Sequence, residues 1–127
     1  MEGHVKKPLV LICDDSIIAR NSLKNLLSKE NCKIVEAYDG LDSLKKISEL
    51  NPDLVLLDLL MPGMNGIDVL KSLKKLEIKV KIVVVSADVQ NSTKQMCLEN
   101  GAIDYINKPP KMQEIVSVFR KLTEYEG

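Results

Sequence analysis

The stretch Leu54–Gly66, with the sequence LVLLDLLMPGMNG, decides the fold. Its first four residues form a continuous apolar run, which is typical of a strand buried on both faces of a parallel sheet. Asp58 follows this run directly, and Pro62, Gly63 and Gly66 then favour a loop. Because α/β proteins bind ligands at the carboxyl ends of their strands, we expect Asp58 at such a position. Taken alone, an Asp at this junction also fits a turn residue or a helix cap.

Runs typical of strands alternate with helical patterns along the sequence. The predicted strands cover residues 9–13, 33–37, 54–58, 80–85 and 102–107, and the predicted helices cover residues 16–30, 41–50, 67–76, 91–100 and 112–122. Such alternation with short connections favours parallel strands joined by right-handed crossovers. The sequence therefore predicts an α/β fold, a doubly wound five-stranded parallel sheet in a three-layer sandwich. A length of 127 residues suits one domain, residues 1–127, and we expect no output domain.

Apolar residues at helical spacing predict which helix faces pack against the sheet. The stripes of the first, second, third and last predicted helices contain Ile17, Ile18, Leu23, Leu26, Leu27, Leu41, Leu44, Ile47, Leu50, Val69, Leu70, Leu73, Met112, Ile115, Val118, Phe119 and Leu122. The fourth predicted helix is only weakly amphipathic, and Thr93, Met96 and Cys97 are its best core candidates. We expect this helix to open more easily than the others, because few apolar contacts hold it.

The composition argues against several classes of protein. Lys plus Arg and Asp plus Glu both number 18, and the resulting zero net charge lacks the basic footprint of a nucleic-acid-binding protein. No apolar run approaches the roughly 20 residues of a membrane span, and residues 1–8 lack the core of a signal peptide, so we expect a cytoplasmic protein. Cys13, Cys32 and Cys97 match no disulfide or metal spacing and are expected to be buried, reduced thiols. His4, the single histidine, is not expected to act as a base or a ligand.

Conspicuous polar residues lie at the ends of four of the predicted strands, namely Asp14 and Asp15, Asp58, Ser86, and Lys108. The carboxyl ends of parallel strands lie along one edge of a sheet, so we expect these side chains to converge. Three carboxylates in one place raise one another's pKa unless a cation neutralises them. Ligation by oxygen alone suits Mg²⁺, which commonly binds carboxylates together with a phosphate oxygen. In such a site Asp58 can be the nucleophile of phosphoryl transfer, Lys108 a compensating charge, and Ser86 a hydrogen-bond donor.

Four motifs together carry a resemblance to a known family. Asp14-Asp15-Ser16, the stretch LLDLLMPGMNG, Ser86-Ala87 and Asn107-Lys108-Pro109 are similar, in order and in position, to the motifs of bacterial two-component response regulator receiver domains. The resemblance covers about residues 8–125 and is to the stand-alone type exemplified by chemotaxis regulators. It implies the flavodoxin-like strand order 2-1-3-4-5 and a non-enzymatic signalling switch, which catalyses only its own phosphorylation and dephosphorylation.

The resemblance also implies a role for each site residue. Asp58 would accept a phosphoryl group from the phosphohistidine of a histidine kinase, or from a small phosphodonor. Asp15, Asp58 and the backbone carbonyl of Leu60 would bind Mg²⁺, or Mn²⁺ in its place, and Asp14 would bind the ion through water. Lys108 would pair with the phosphoryl group.

Phosphorylation would be read out through Ser86 and Tyr105. The Ser86 hydroxyl would reach the phosphoryl group only by moving with its loop, and the vacated space would let Tyr105 turn inward. Taken alone, Tyr105 also fits a half-buried strand residue with its hydroxyl in water. The output would be the face formed by the fourth helix, the fifth strand and the fifth helix, where a downstream protein would bind.

A docking surface is expected at the rim of the site. Exposed positions Ser16, Ala19 and Ser22 of the first helix, with Pro109 nearby, are candidates for contact with a histidine kinase or a histidine phosphotransferase, although each also fits ordinary helix surface. The resemblance implies a cis peptide before Pro109. A phosphatase is a further expected partner, and the protein is expected to be a monomer or a phosphorylation-dependent dimer. The absence of an output domain points to chemotaxis.

Three other functions fit part of this residue pattern. A haloacid-dehalogenase-like phosphatase also uses an Asp nucleophile and Mg²⁺, but it expects a second acid where Leu60 stands. A flavodoxin-like mononucleotide-binding protein would need a phosphate-cradling loop after the first strand, where Asp14 and Asp15 would repel phosphate. A receiver that signals by contact without phosphorylation stays open. The rate of dephosphorylation also stays open, since Asp88 could either orient or repel an attacking water.

Overall fold

Five strands and five helices alternate along residues 6–123, the part of the chain that the computed structural model describes. The strands are β1 (Leu9–Cys13), β2 (Lys33–Ala37), β3 (Leu54–Leu57), β4 (Ile82–Ser86) and β5 (Asp104–Asn107). The helices are α1 (Ile17–Leu26), α2 (Gly40–Leu50), α3 (Gly66–Lys75), α4 (Asn91–Glu99) and α5 (Met112–Thr123). His4 lies outside the described residues, so the expectation for it stays a prediction.

The strands form one parallel sheet in the order β2-β1-β3-β4-β5, which confirms the predicted fold class and strand order. Helices α2, α3 and α4 pack on one face of the sheet, and α1 and α5 pack on the other. Every residue of β3 and β4 is buried, as their almost unbroken apolar sequences predict. The central strands β1, β3 and β4 therefore place their carboxyl ends side by side at the middle of one sheet edge.

Several apolar residues are exposed although the sequence predicted them in the core. These are Ile17, Ile18, Leu41, Leu50, Met96 and Met112, which are between 42% and 80% exposed. All except Met96 lie in the first or last turn of a helix, where the helix extends beyond the strands that it packs against. The helical period shows which face of a helix is apolar, but it does not show how far along the helix the contact with the sheet extends. As a result Ile17, Ile18 and Leu41, at helix N-termini, lie at the sheet edge that carries the strand carboxyl ends.

Helix α4 is weakly packed, as its sequence predicts. Cys97 is the only buried residue between Asn91 and Glu99, while Met96 is 43% exposed. The Thr93 hydroxyl donates a hydrogen bond to the Asp88 carboxylate instead of contributing to the core. Few apolar contacts therefore oppose a movement of this helix.

The structure bears on the three cysteines and on the possibility of a membrane span. Cys13 and Cys97 are buried and free, as predicted, whereas Cys32 is only partly buried. Among residues 6–123, no helix has the length and apolar character that crossing a membrane requires.

Candidate functional site

Two buried carboxylates lie next to each other where β1 and β3 end. Cys13 and Leu57 are paired in the sheet, and Asp14 and Asp58 are the residues that follow them. The Asp58 N–H donates to the Cys13 carbonyl at 2.9 Å, so the ladder continues to the acid itself. Asp14 is 2% exposed and Asp58 is 6% exposed, whereas Asp15 is exposed. The strand register therefore fixes the two buried acids side by side.

The loop after Asp58 packs closely on the start of α3. A Cβ at Gly66 would overlap the Asp58 carbonyl oxygen and lie 2.8 Å from the Leu59 Cα. The Gly66 N–H donates to the Leu59 carbonyl at 2.9 Å. Only glycine permits this approach, so Gly66 fixes the backbone at the end of β3.

Lys108 connects the two buried acids. Its Nζ lies 2.8 Å from Asp14 Oδ2 and 3.5 Å from Asp58 Oδ1. The Lys108 backbone N–H donates to the Ser86 carbonyl at 2.8 Å, and the Lys108–Pro109 peptide is cis, as the resemblance implies. Burial lowers the pKa of the Lys108 ammonium, but its hydrogen bond to Asp14 and the charges of both acids outweigh this and raise the pKa overall. Lys108 is therefore a fixed positive charge beside Asp58.

The electrostatics of the site favour a bound cation. Burial, and then the charge of Asp14, raise the pKa of Asp58 above its ordinary value, although Lys108 and the Leu60 N–H act in the opposite direction. One carboxylate oxygen from each of Asp14, Asp15 and Asp58 lies within 4.8 Å of the other two. A single ammonium does not balance three carboxylates. A set of hard oxygen donors at this spacing fits Mg²⁺.

The raised pKa of Asp58 has a consequence for stability. An acid whose pKa is higher in the folded protein destabilises the fold when it is ionised, and this penalty disappears as the pH falls below the unfolded-state pKa. In metal-free buffer, Asp58→Asn is therefore expected to raise the free energy of unfolding at neutral pH, and the gain should shrink as the pH is lowered toward about 4.

Urea unfolding of both proteins with EDTA, at several values between about pH 4 and pH 7.5, measures this difference. Asp104→Asn, at the opposite end of the sheet, controls for the general loss of a carboxylate. A variant less stable than the wild type at neutral pH would contradict the account.

Ser86 and Tyr105 are both buried, at 1% and 8% exposure, and both are hydrogen-bonded to Asp88. The Ser86 Oγ accepts from the Asp88 N–H at 3.1 Å, and the Tyr105 hydroxyl donates to the Asp88 carbonyl at 2.6 Å. The alternative of a half-buried Tyr105 with its hydroxyl in water is therefore wrong. Tyr105 is thus already buried without a phosphoryl group, whereas the sequence led us to expect it to turn inward only after phosphorylation; the Asp88 carbonyl offers its hydroxyl an acceptor inside the protein.

Sequence reasoning missed the structural role of Asp88. Its carboxylate accepts from the Gln90 N–H at 2.9 Å and from the Thr93 hydroxyl at 2.8 Å, so it ties the loop after β4 to the first turn of α4. These two hydrogen bonds hold the pKa of the Asp88 carboxyl below its usual value. Asp side chains commonly accept from the N–H two residues later in a turn, so the sequence carried a signal for the first of these bonds.

The four predicted docking residues lie on one groove. Ser16, Ala19, Ser22 and Pro109 line a surface groove of about 390 Å³ between α1 and the segment after β5, and Lys108 also lines it. The groove thus joins the candidate site to the surface of α1. The Leu60 side chain, by contrast, is 74% exposed beside the site, while its backbone N–H contributes to lowering the pKa of the Asp58 carboxyl.

Comparisons with known proteins identify the family. The family model described as the response regulator receiver domain matches residues 10–120. The chain belongs to this family. Receiver domains are signalling switches that are phosphorylated on an aspartate in two-component systems, and they bind Mg²⁺ at an acidic pocket such as that formed by Asp14, Asp15 and Asp58.

Curated relatives of this receiver domain differ in length. The chemotaxis protein CheY of Thermotoga maritima is 36% identical over 116 residues, which cover 91% of this chain and 97% of that protein. A protein-glutamate methylesterase/protein-glutamine glutaminase of Myxococcus xanthus is 43% identical, but the match covers 79% of this chain and only 30% of that protein. The chain thus spans nearly all of one relative and about a third of the other.

Solved structures give the same family. The receiver domain of the Francisella response regulator 1452 has a TM-score of 0.87 and 29% identity, covering 93% of this chain and 98% of that one. A CheX–CheY–BeF3–Mg²⁺ complex from Borrelia burgdorferi has a TM-score of 0.82 and 28% identity, covering 89% of this chain and 87% of that one. The receiver fold is therefore shared along almost the whole chain.

Proposed function

We propose that this receiver domain is a phosphorylation-activated switch in which Asp58 accepts a phosphoryl group from a histidine kinase or a histidine phosphotransferase. The observation that supports this most strongly is the position of Lys108, whose Nζ lies 2.8 Å from Asp14 and 3.5 Å from Asp58 beside a cluster of three carboxylates. Phosphoryl transfer requires a nucleophile surrounded by positive charge, and this is such an arrangement once a divalent cation joins Lys108.

Each residue has a defined task in the proposed reaction. An Asp58 oxygen forms a bond to phosphorus as the phosphorus–nitrogen bond of the donor phosphohistidine breaks, and the released imidazole takes up a proton. Lys108 compensates the charge of the phosphoryl oxygens. Asp15, Asp58 and the Leu60 carbonyl would hold Mg²⁺, or Mn²⁺, with Asp14 bonded through water, and the ion would supply further positive charge at the phosphoryl oxygens.

The proposed output runs through Asp88. Its N–H donates to Ser86, its carbonyl accepts from the Tyr105 hydroxyl, and its carboxylate accepts from Thr93 in the first turn of α4. If the Ser86 hydroxyl turns to a phosphoryl oxygen, it gives up the Asp88 N–H, and the loop that carries Asp88 must readjust. A single residue thereby couples the active site to the face formed by α4, β5 and α5, on which a downstream protein would bind. The weak packing of α4 supports a movable element.

The proposed partners fit the surfaces around the site. A helical kinase or phosphotransferase surface would lie in the groove lined by Ser16, Ala19, Ser22 and Pro109, next to Lys108. A phosphatase and a role in chemotaxis are supported by the likeness to CheY proteins, one of them solved in a complex with CheX, beryllofluoride and Mg²⁺.

The coupling is tested with beryllofluoride, which mimics a phosphoryl group on a carboxylate. In the wild type with Mg²⁺, beryllofluoride is expected to change the Tyr105 ring resonances and the amide hydrogen exchange of α4. In Ser86→Ala, beryllofluoride should still perturb the amides around Asp58. The response of α4 and Tyr105 should be mostly lost, because no hydroxyl connects the Asp58 site to Asp88. Ser48→Ala, an exposed serine of α2, is the matched control. A full α4 response in Ser86→Ala would rule out this coupling.

A further inference from the structure

Arg20 reaches from α1 to the backbone of the acidic site. Its Nη1 donates to the Asp14 carbonyl oxygen at 2.8 Å, and its Nε donates to Glu36 Oε1 at 2.9 Å. The Arg20 side chain is only 14% exposed. The planar guanidinium donates in two directions at once, to the backbone just after β1 and to a carboxylate of β2.

Glu36 is itself held, so that Arg20 cannot easily swing away. Lys24, one turn further along α1, donates to Glu36 Oε2 at 3.0 Å, while Arg20 occupies Oε1. The Lys46 ammonium of α2 donates to the Glu36 carbonyl at 2.5 Å. Side chains from both flanking helices therefore fix Glu36, and Glu36 fixes the orientation of the guanidinium.

The bond to the Asp14 carbonyl acts on the peptide that leads to Asp15. The other groups of Asp14 are already engaged: its N–H donates to the Ala37 carbonyl at 3.0 Å, Oδ1 accepts from the Ser16 N–H at 2.9 Å, and Oδ2 accepts from Lys108 at 2.8 Å. The carbonyl plane of Asp14 determines where the Asp15 Cα lies. Asp15 is exposed, so the backbone, and not packing around its side chain, directs its carboxylate toward Asp14 and Asp58.

We propose that Arg20, held by Glu36, is a positioning residue for the metal site: its bond to the Asp14 carbonyl fixes the Asp14–Asp15 peptide and so directs the Asp15 carboxylate toward the cation. This inference rests on the proposed binding of Mg²⁺ by Asp14, Asp15 and Asp58. Groups that orient metal ligands in this way typically affect metal affinity by about 10- to 100-fold when they are removed.

Simple electrostatics predicts the opposite effect, which makes the inference testable. Arg20 is a cation close to the acidic cluster, so removing its charge alone should tighten Mg²⁺ binding. Lys24 is a cation on the same carboxylate, Glu36, but its ammonium has no bond to Asp14. Lys24→Gln is therefore a matched control that removes the same charge and leaves the bond to the Asp14 carbonyl in place.

The experiment is a Mg²⁺ titration of the full chain followed by two-dimensional amide NMR, with wild type, Arg20→Gln, Arg20→Lys and Lys24→Gln. Arg20→Gln is expected to raise the dissociation constant about 10-fold despite its lost positive charge. Arg20→Lys should also bind more weakly, because one ammonium cannot span the Asp14 carbonyl and Glu36 together. Lys24→Gln should weaken binding far less than Arg20→Gln, because it removes one of the groups that hold Glu36 but keeps the Arg20 bond to the Asp14 carbonyl. Unchanged or tighter binding by Arg20→Gln, or by Arg20→Lys, would overturn the inference.

One further measurement and one further control variant separate a failure of the Arg20 inference from a failure to fold. Thermal unfolding in EDTA shows whether each variant is folded, and if Arg20→Gln is not, the charge-conserving Arg20→Lys decides the question. Arg120→Gln breaks the ion pair between Arg120 of α5 and Glu30, which follows the C-terminal end of α1, and controls for the loss of an arginine. If the wild type itself does not bind Mg²⁺, the proposed function fails. If the wild type binds and Arg20→Gln binds equally well, only the role of Arg20 is refuted.

Discussion

Asp58→Asn protein is expected to gain no phosphoryl group from acetyl phosphate and Mg²⁺, whereas the wild type gains one. Asp58 is the buried carboxylate at the end of β3 that lies within reach of both Lys108 and the other two acids. An amide keeps the shape of the side chain but lacks the nucleophilic oxygen anion, so the covalent step cannot occur. Intact mass measured at intervals gives the stoichiometry directly.

The same experiment distinguishes the competing functions. A receiver should accumulate one acid-stable, base-labile acyl phosphate, while a phosphatase would turn substrate over without accumulating it. A receiver that signals by contact alone would gain nothing even as the wild type. Asp104→Asn, at the amino end of β5, is the matched control and should be phosphorylated like the wild type. Phosphorylation of Asp58→Asn to the same extent would place the acceptor elsewhere.

Lys108→Gln is expected to lower the rate of phosphorylation by about 100-fold, in line with the loss of one preorganised donor to developing charge. The ammonium lies 3.5 Å from Asp58 Oδ1, close enough to stabilise negative charge on an oxygen of a phosphoryl group bound there. The backbone bond from the Lys108 N–H to the Ser86 carbonyl does not depend on the side chain, so the loop geometry should persist.

The rate constant of acyl phosphate formation from acetyl phosphate, measured at saturating Mg²⁺, tests this expectation. Lys81→Gln is a matched control, since this lysine precedes β4 at the opposite sheet edge and donates to the Leu122 carbonyl. A Lys108→Gln rate within a few-fold of the wild type would mean that Lys108 orders the apo site but does not act on the phosphoryl group.

The alternation of strand and helix patterns was sufficient to predict the parallel sheet, because buried parallel strands carry unbroken apolar runs. The same patterns placed Asp14, Asp58 and Lys108 at strand ends, and the structure brings these residues together. The ends of these strands can be located from the sequence, because apolar residues change abruptly to charged or polar ones there. Their convergence then follows from the common direction of parallel strands.

Other features depend on distances that no sequence pattern encodes. Arg20 lies on the polar side of α1, where the sequence predicts ordinary helix surface. Its guanidinium nevertheless donates to the Asp14 carbonyl just after β1 and to Glu36 in β2. Tyr105 could have faced water or the interior, and the position of the Asp88 carbonyl decides between them. Ile17 and Ile18 continue an apolar stripe beyond the sheet, since periodicity describes a helix and not the extent of its partner.

A crystal structure of the protein with Mg²⁺ and beryllofluoride tests the central claim most directly. The account predicts one metal ion bound by the Asp14, Asp15 and Asp58 cluster, beryllofluoride on an Asp58 oxygen, and the Lys108 ammonium in contact with a fluorine. Beryllofluoride or the metal ion bound at another place, or Lys108 directed away from Asp58, would contradict it.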